Sequence, residues 1–122
     1  EKFGLLAYSP MAFGVLSGKY RNNQKPKGSR LQLFGDMFPR YVGKLPLLAV
    51  EEYFKVAKKH KISLAQLSLA FVNQQPFVTS NIIGATTIKQ LKEDIESTNI
   101  ELSSEIIDEI NLVHKNNPNP AP

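Results

Sequence analysis

Residues 77–95, "FVTSNIIGATTIKQLKEDI", change their period half-way. The first half, Phe77 to Ala85, is rich in β-branched residues and predicts a strand. From Thr87 onward Ile88, Leu91 and Ile95 recur at helical spacing, and Thr87 with Gln90 has the spacing of a capping box. A strand that runs through a glycine into a helix is the repeating step of a parallel α/β sheet. Gly84 lets the backbone approach a ligand closely, Thr86 and Thr87 supply hydroxyls, and the unpaired amides of a helix start favour an anion. The same residues also suit an ordinary strand-to-helix turn in which Thr87 is only the cap.

Working outward, "SLAQLSLAFVNQQP" (63–76) predicts a helix. Ser63 and Gln66 make its capping box, Leu64, Leu67 and Phe71 line one side, and Pro76 lies beyond its end. Before it, Leu47, Val50, Phe54 and Ala57 mark a second helix from about Leu45 to His60. Glu51 and Lys55 are placed there as an i,i+4 pair, and Lys58, Lys59 and His60 fall where the helix dipole favours positive charge. Downstream, "LSSEIIDEINLVH" (102–114) offers Ser103 as N-cap with Leu102 and Ile107 as a hydrophobic staple; the proline-rich tail "NNPNPAP" stops that helix.

Near the start, "FGLLAYS" (3–9) is an apolar run that ends at Pro10, which predicts a strand buried on both faces. The order is strand, long connection, two helices, strand, short connection, two helices. Strands alternating with helices imply parallel pairing. Two strands leave both edges of a sheet open and its faces uncovered, so most of the sheet is expected outside these residues. The exposed apolar faces are expected to make the chain self-associate.

Composition narrows the class. The chain has 122 residues, 42% of them apolar, which suits one small globular domain or a piece of a larger one; its opening Glu-Lys-Phe favours the piece. With no cysteine, disulfides and thiolate metal sites are excluded. No run of about 18 apolar residues is present, so no membrane span is expected, and a soluble cytoplasmic protein is the default. Charge is unevenly spread. Lys19, Arg21, Lys25, Lys27, Arg30, Arg40 and Lys44 face Asp36 alone, whereas the rest of the chain has eight basic and ten acidic residues. Three readings of that basic stretch compete: a solvated surface loop, a site for a small anion and, behind both, a nucleic-acid surface. No nucleic-acid motif accompanies it.

The same region contains "PMAFGVLSGKY" (10–20), which invites comparison with a phosphate-binding loop. The G-x-x-x-x-G-K-[ST] pattern fails: only Val15, Leu16 and Ser17 separate Gly14 from Gly18, and Tyr20 stands where the magnesium-binding hydroxyl is required. Phosphate could still be held by another geometry. Both predicted strands end in glycine-bearing loops, and in α/β folds ligands gather at the carboxyl ends of strands. Tyr8, at the end of the first, is either a core residue or a ring for stacking on a flat cofactor. Lys19 and Arg30, taken singly, read as solvated.

No catalytic constellation is visible. His60 and His114 stand at helix ends without a carboxylate at metal-pair spacing, so both read as surface histidines and no metal site is expected. No G-x-S-x-G elbow surrounds any serine.

Taken together, "GLLAYSPMAFGVLSGKY" and "NIIGATTIKQLKEDI" resemble the C-terminal part of the aldo-keto reductases, over essentially the whole chain. The likeness is strongest to the Tas-like bacterial branch, which shares the "LAFVNQQPFV…GATT" type of passage. The resemblance implies an α/β fold: the C-terminal part of a (β/α)8 TIM barrel, with two parallel strands and about four helices in residues 1–122. It implies an oxidoreductase that binds NADP(H) and reduces aldehydes or ketones by hydride transfer. By the same resemblance Tyr8 packs against the nicotinamide, and Ser9, Pro10, Met11, Ala12 and Phe13, with Gly14 and Lys19, run along the pyrophosphate. Arg30 matches a basic residue near the adenine end. Gly84, Thr86, Gln90, Glu93 and Asp94 match the positions that hold the 2′-phosphate and adenine. Asp94 stands where Asn is commoner, and Phe13 is larger than the usual small residue.

The family's catalytic Asp, Tyr, Lys and His lie on strands that precede residue 1, so no catalytic residue is assigned here and the chain alone is expected to be inactive. The expected partners are a small carbonyl substrate and the remainder of the barrel, or a second chain that completes the sheet. The alternative of the same fold is an NADP-binding regulatory subunit like the potassium-channel β subunits.

Overall fold

The structure, a computed structural model, describes residues 3–122. Two parallel strands, β1 (Leu5–Tyr8) and β2 (Val78–Ile82), lie side by side, with Leu5 opposite Val78 and Tyr8 opposite Ile82. The register slips between Leu5 and Leu6. The two strands occupy the two runs the sequence predicts but are shorter. β1 stops because Ser9 turns into the left-handed region (φ 57°) and Pro10 has no N–H to offer a ladder.

The expectation of a strand buried on both faces is corrected. Leu6 is 61% exposed and Tyr8 80% exposed, and Ile82 is half open. With only two strands paired, too little of the chain lies over them to exclude water.

The long basic connection is more structured than a solvated loop. It contains short 3-10 turns and helix α1 (Arg30–Phe34). Tyr20 and Leu31 are buried in the main core, which corrects the surface-loop reading for those residues, whereas Lys25 and Lys27 are exposed; Val15, just before the stretch, is buried with them.

Four longer helices follow the predicted order: α2 (Lys44–Lys59), α3 (Leu64–Asn73), α4 (Ile88–Glu96) and α5 (Ser104–Asn116). The core joins Val50, Val56 and Ala57 of α2 to Leu64, Leu67 and Ala70 of α3, and to Ile106, Ile110 and Val113 of α5. The capping box of α3 is complete: Ser63 Oγ accepts from the Gln66 N–H at 3.0 Å, and the Gln66 side chain accepts from the Ser63 N–H at 3.2 Å. Ser103 caps α5 by accepting from the Ile106 N–H, and Leu102 is buried with Ile107 packed on the core, as the staple predicts.

The apolar stripe of α4 is present as predicted and stands open, for Ile88 and Ile95 are largely exposed. Two local expectations are corrected. Glu51 does not pair with Lys55; it takes Arg21, and Lys55 turns to Glu52. His60 is not a surface residue. Its side chain is 17% exposed and lies 3.1 Å from a Glu109 carboxylate oxygen, in an ion-pair group with Lys59 and Glu105 that ties the end of α2 to α5. His60, Glu105 and Glu109 thus bring possible ligand atoms within 4.8 Å of one another, around carboxylates that both pair with Lys59. His114 is exposed.

Candidate functional site

Because Tyr8 and Ile82 are opposite each other in a parallel pair, the chain leaves both strands in the same direction and at the same level. The segments that follow, Ser9–Lys19 and Ile83–Thr87, therefore begin as neighbours. Among the described residues of the sheet, Tyr8 presents the most open ring at this end.

The first segment is a tight turn with left-handed backbone at five of its eleven residues. Ser9, Ala12 and Phe13 have φ of 57°, 47° and 61°, and Gly14 and Gly18 have φ of 90° and 80°. Hydrogen bonds from the Ala12 N–H to the Ser9 carbonyl and from the Gly14 and Leu16 N–H groups to the Met11 carbonyl hold it. Three non-glycine residues in the left-handed region within five positions is costly, and such backbone collects where geometry serves a ligand. The Ser17 hydroxyl donates to the Gly14 carbonyl at 2.7 Å, closing the turn.

Two cations border it. A Cβ on Gly14 would meet the Lys19 Nζ at 3.5 Å, so the ammonium of Lys19 folds back over the turn. Arg30, at the head of α1, lies with its guanidinium carbon 5.4 Å from the centre of the Phe13 ring. The same guanidinium reaches the second segment: a Cβ on Gly84 would meet Arg30 Nη2 at 3.4 Å. Arg30 thus joins both strand-end loops. Among the described residues neither Lys19 nor Arg30 has an ion-pair partner, so their charge is available to an anion.

Beyond Gly84 the start of α4 departs slightly from the expected box. Thr87 Oγ1 accepts from the Gln90 N–H at 3.2 Å. The Gln90 side chain, however, accepts from the N–H and hydroxyl of Thr86 rather than from Thr87, both at 2.9 Å. Thr86 and Gln90 are therefore held together on one exposed corner. Glu93 is half-buried on the same helix. Asp94 is only 5% exposed, and its Oδ2 has no hydrogen-bond partner, so it is set apart from the open corner. Burial, with a smaller push from Glu93, raises the Asp94 carboxyl above the ordinary aspartate range.

Of the residues singled out from the sequence, Tyr8, Ser9, Phe13, Gly14, Lys19, Arg30, Gly84, Thr86 and Gln90 thus stand in or beside two adjoining loops. Pro10, Met11 and Ala12 belong to the turn itself. Sequence reasoning missed what supports them. Phe13 packs against Phe38, ring centres 4.2 Å apart, and stacks on Tyr41 at 5.9 Å. Arg21 donates two 2.8 Å hydrogen bonds to Glu51 and covers the Phe54 ring. Those partners come from other elements, and no local spacing announces them.

An open ring, two available cations, paired hydroxyl and amide groups and a glycine beside a guanidinium form a set suited to binding a long anion with flat ends. They contain no nucleophile–base pair, so the set binds and does not by itself carry out chemistry.

The model of the aldo/keto reductase family matches residues 1–115. The chain is 49% identical over its whole length to Protein tas of Escherichia coli (strain K12), of which it covers 35%. It is 34% identical to a probable voltage-gated potassium channel subunit beta of Oryza sativa subsp. japonica, over 94% of this chain and 36% of that one. To the L-glyceraldehyde 3-phosphate reductase of Escherichia coli (strain K12) it is 31% identical, over 79% of this chain and 29% of that one. The chain spans about a third of the length of the curated relatives it matches. It belongs to the aldo/keto reductase family, and its two parallel strands with their helices are part of that family's (β/α)8 barrel.

Proposed function

We propose that residues 1–122 are the C-terminal, NADP(H)-holding part of a single-barrel oxidoreductase that reduces aldehydes or ketones. The observation that carries this reading is Arg30 placed between Phe13 and Gly84, a cation shared by both loops. The residues fit a phosphorylated dinucleotide. Tyr8 would face the nicotinamide, and the turn Ser9–Gly14 with Lys19 would follow the pyrophosphate. Arg30, Gly84, Thr86, Gln90 and Glu93 would take the 2′-phosphate and adenine end, with Asp94 behind them. The bound cofactor supplies hydride to a carbonyl carbon. What these residues do is orient its rings and neutralise its phosphates; a proton donor for the carbonyl oxygen would come from residues before Glu1.

The test uses the full-length protein. NADPH is expected to bind with a change in its fluorescence, and a generic aldehyde should be reduced at its expense. Absence of NADPH binding refutes the reading.

A second reading of the same fold, an NADP-binding regulatory subunit, is favoured by the similarity to the rice potassium channel subunit beta. Co-purification of the full-length protein with a channel subunit, in place of aldehyde turnover, would select it. Among the described residues no helix is long and apolar enough to cross a membrane.

A further inference from the structure

We propose that Arg21, clasped to Glu51 and Phe54, is a positioning residue that sets the basic segment in its cofactor-binding shape; this rests on the NADP(H) reading above. Lys19 and Arg30 are eleven positions apart on a stretch rich in exposed polar residues, and such a stretch would lose much conformational freedom if it were ordered only on binding. Two anchors order it beforehand. Arg21 Nε and Nη2 each donate a 2.8 Å hydrogen bond to a separate oxygen of the Glu51 carboxylate on α2. The guanidinium carbon also lies 3.2 Å from the centre of the Phe54 ring. The planar, two-pronged fork that reaches a carboxylate while stacked on a ring is a geometry arginine supplies and lysine does not.

The second anchor is the neighbour, Tyr20. It is 3% exposed, and its hydroxyl accepts the Leu31 N–H at 3.2 Å, with Leu31 itself buried. Tyr20 directly follows Lys19, and Leu31 directly follows Arg30. The tie therefore fixes the spacing of the two cations. Immediately after Arg21, Asn22 and Asn23 take φ of 56° and 59°, a tight reversal that holds only if its ends are pinned. Among the described residues the Arg21 guanidinium makes its hydrogen bonds to Glu51, so its charge is spent there and not on the cofactor. It acts through position.

The experiment uses the full-length protein, with Arg21→Met, Glu51→Gln, their double variant, and Tyr20→Phe. NADPH affinity is read by fluorescence titration, and kcat and cofactor KM by aldehyde reduction. Each single change at the clasp should raise the NADPH Kd and KM about ten-fold, equivalent to about 1.4 kcal/mol, with kcat unchanged. The double variant should lose no more than either single one, because both remove the same interaction. Tyr20→Phe removes one oxygen from a buried ring and should raise the Kd in the same direction without loss of folding. If wild type binds NADPH and all these variants bind it within two-fold, the inference is overturned while the cofactor reading stands. Additive losses at Arg21 and Glu51, or a fall in kcat with unchanged KM, also overturn it. If wild type binds no NADPH, the cofactor reading itself has failed.

Discussion

The guanidinium of Arg30, at the head of α1, rests against Gly84, fifty-four positions further along the chain and just beyond β2. A Cβ on Gly84 would come within 3.4 Å of Arg30 Nη2, and the guanidinium carbon of Arg30 lies 5.4 Å from the centre of the Phe13 ring. One side chain therefore joins the loops that follow the two paired strands. Substituting Gly84 by Val should push that side chain aside without unfolding the chain, since the flexible end of an arginine can yield. NADPH affinity is expected to fall about ten-fold, the weight of roughly one charge-assisted hydrogen bond, while NADH affinity changes less. Parallel titrations of the two cofactors on full-length Gly84→Val check this.

Ser63→Ala removes the oxygen that accepts the Gln66 N–H at the start of α3. Loss of that cap should destabilise the full-length protein by about 1 kcal/mol. Thermal unfolding against wild type measures it, and an unchanged midpoint would show that the box is not engaged in solution.

Asp94 offers a change in the other direction. Its buried Oδ2 makes no hydrogen bond, and burial raises its carboxyl from the ordinary value of 3.8. The folded protein therefore holds this proton more tightly than the unfolded chain, so stability should fall as pH rises from that ordinary value through the raised one. Above that window the charged form opposes folding. Asp94→Asn should stabilise at neutral pH by about 1 kcal/mol and remove this part of the pH dependence. Chemical denaturation of both proteins across the acid range reads the effect.

Glu51 should behave in the opposite way. Its hydrogen bonds with Arg21 hold its carboxyl below the ordinary value of 4.5. The stability it contributes is present above 4.5 and is lost as pH falls through the depressed value. The difference in thermal midpoint between wild type and Glu51→Gln should accordingly shrink in acid. A difference that persists there would mean that the Arg21 pair is not its source.

What was legible in the sequence is what is local. Ser63 and Gln66 cap α3 because a side chain and a backbone N–H three positions apart meet in any helix start, so spacing alone reveals them. β1 and β2, and the glycine loops behind them, were legible for the same reason. Burial was not. Leu6 and Tyr8 have the composition of a buried strand, yet they are open, because what covers a strand comes from elsewhere in a fold. Partner choice was not legible either. Glu51 has Lys55 one helical turn away and takes Arg21, thirty positions back, which offers two donors and a ring to lie on. In the same way His60 meets Glu109 only because α2 and α5 pack together. In the candidate site the Tyr20 and Arg21 anchors escaped notice, since their partners Leu31, Glu51 and Phe54 share no periodicity with them.

The chain of 122 residues taken alone should show no NADPH-dependent reduction of a generic aldehyde, because the proton donor proposed above comes from residues before Glu1. Steady-state assay of the isolated chain, at concentrations where the full-length protein turns over, checks this.

The most direct measurement is a fluorescence titration of the full-length protein with NADPH and with NADH, repeated on Arg30→Met. If the two loops grip a 2′-phosphorylated dinucleotide between them, NADPH binds more tightly than NADH, and the Arg30 change removes most of that preference. Equal affinity of the unaltered protein for both cofactors would contradict it.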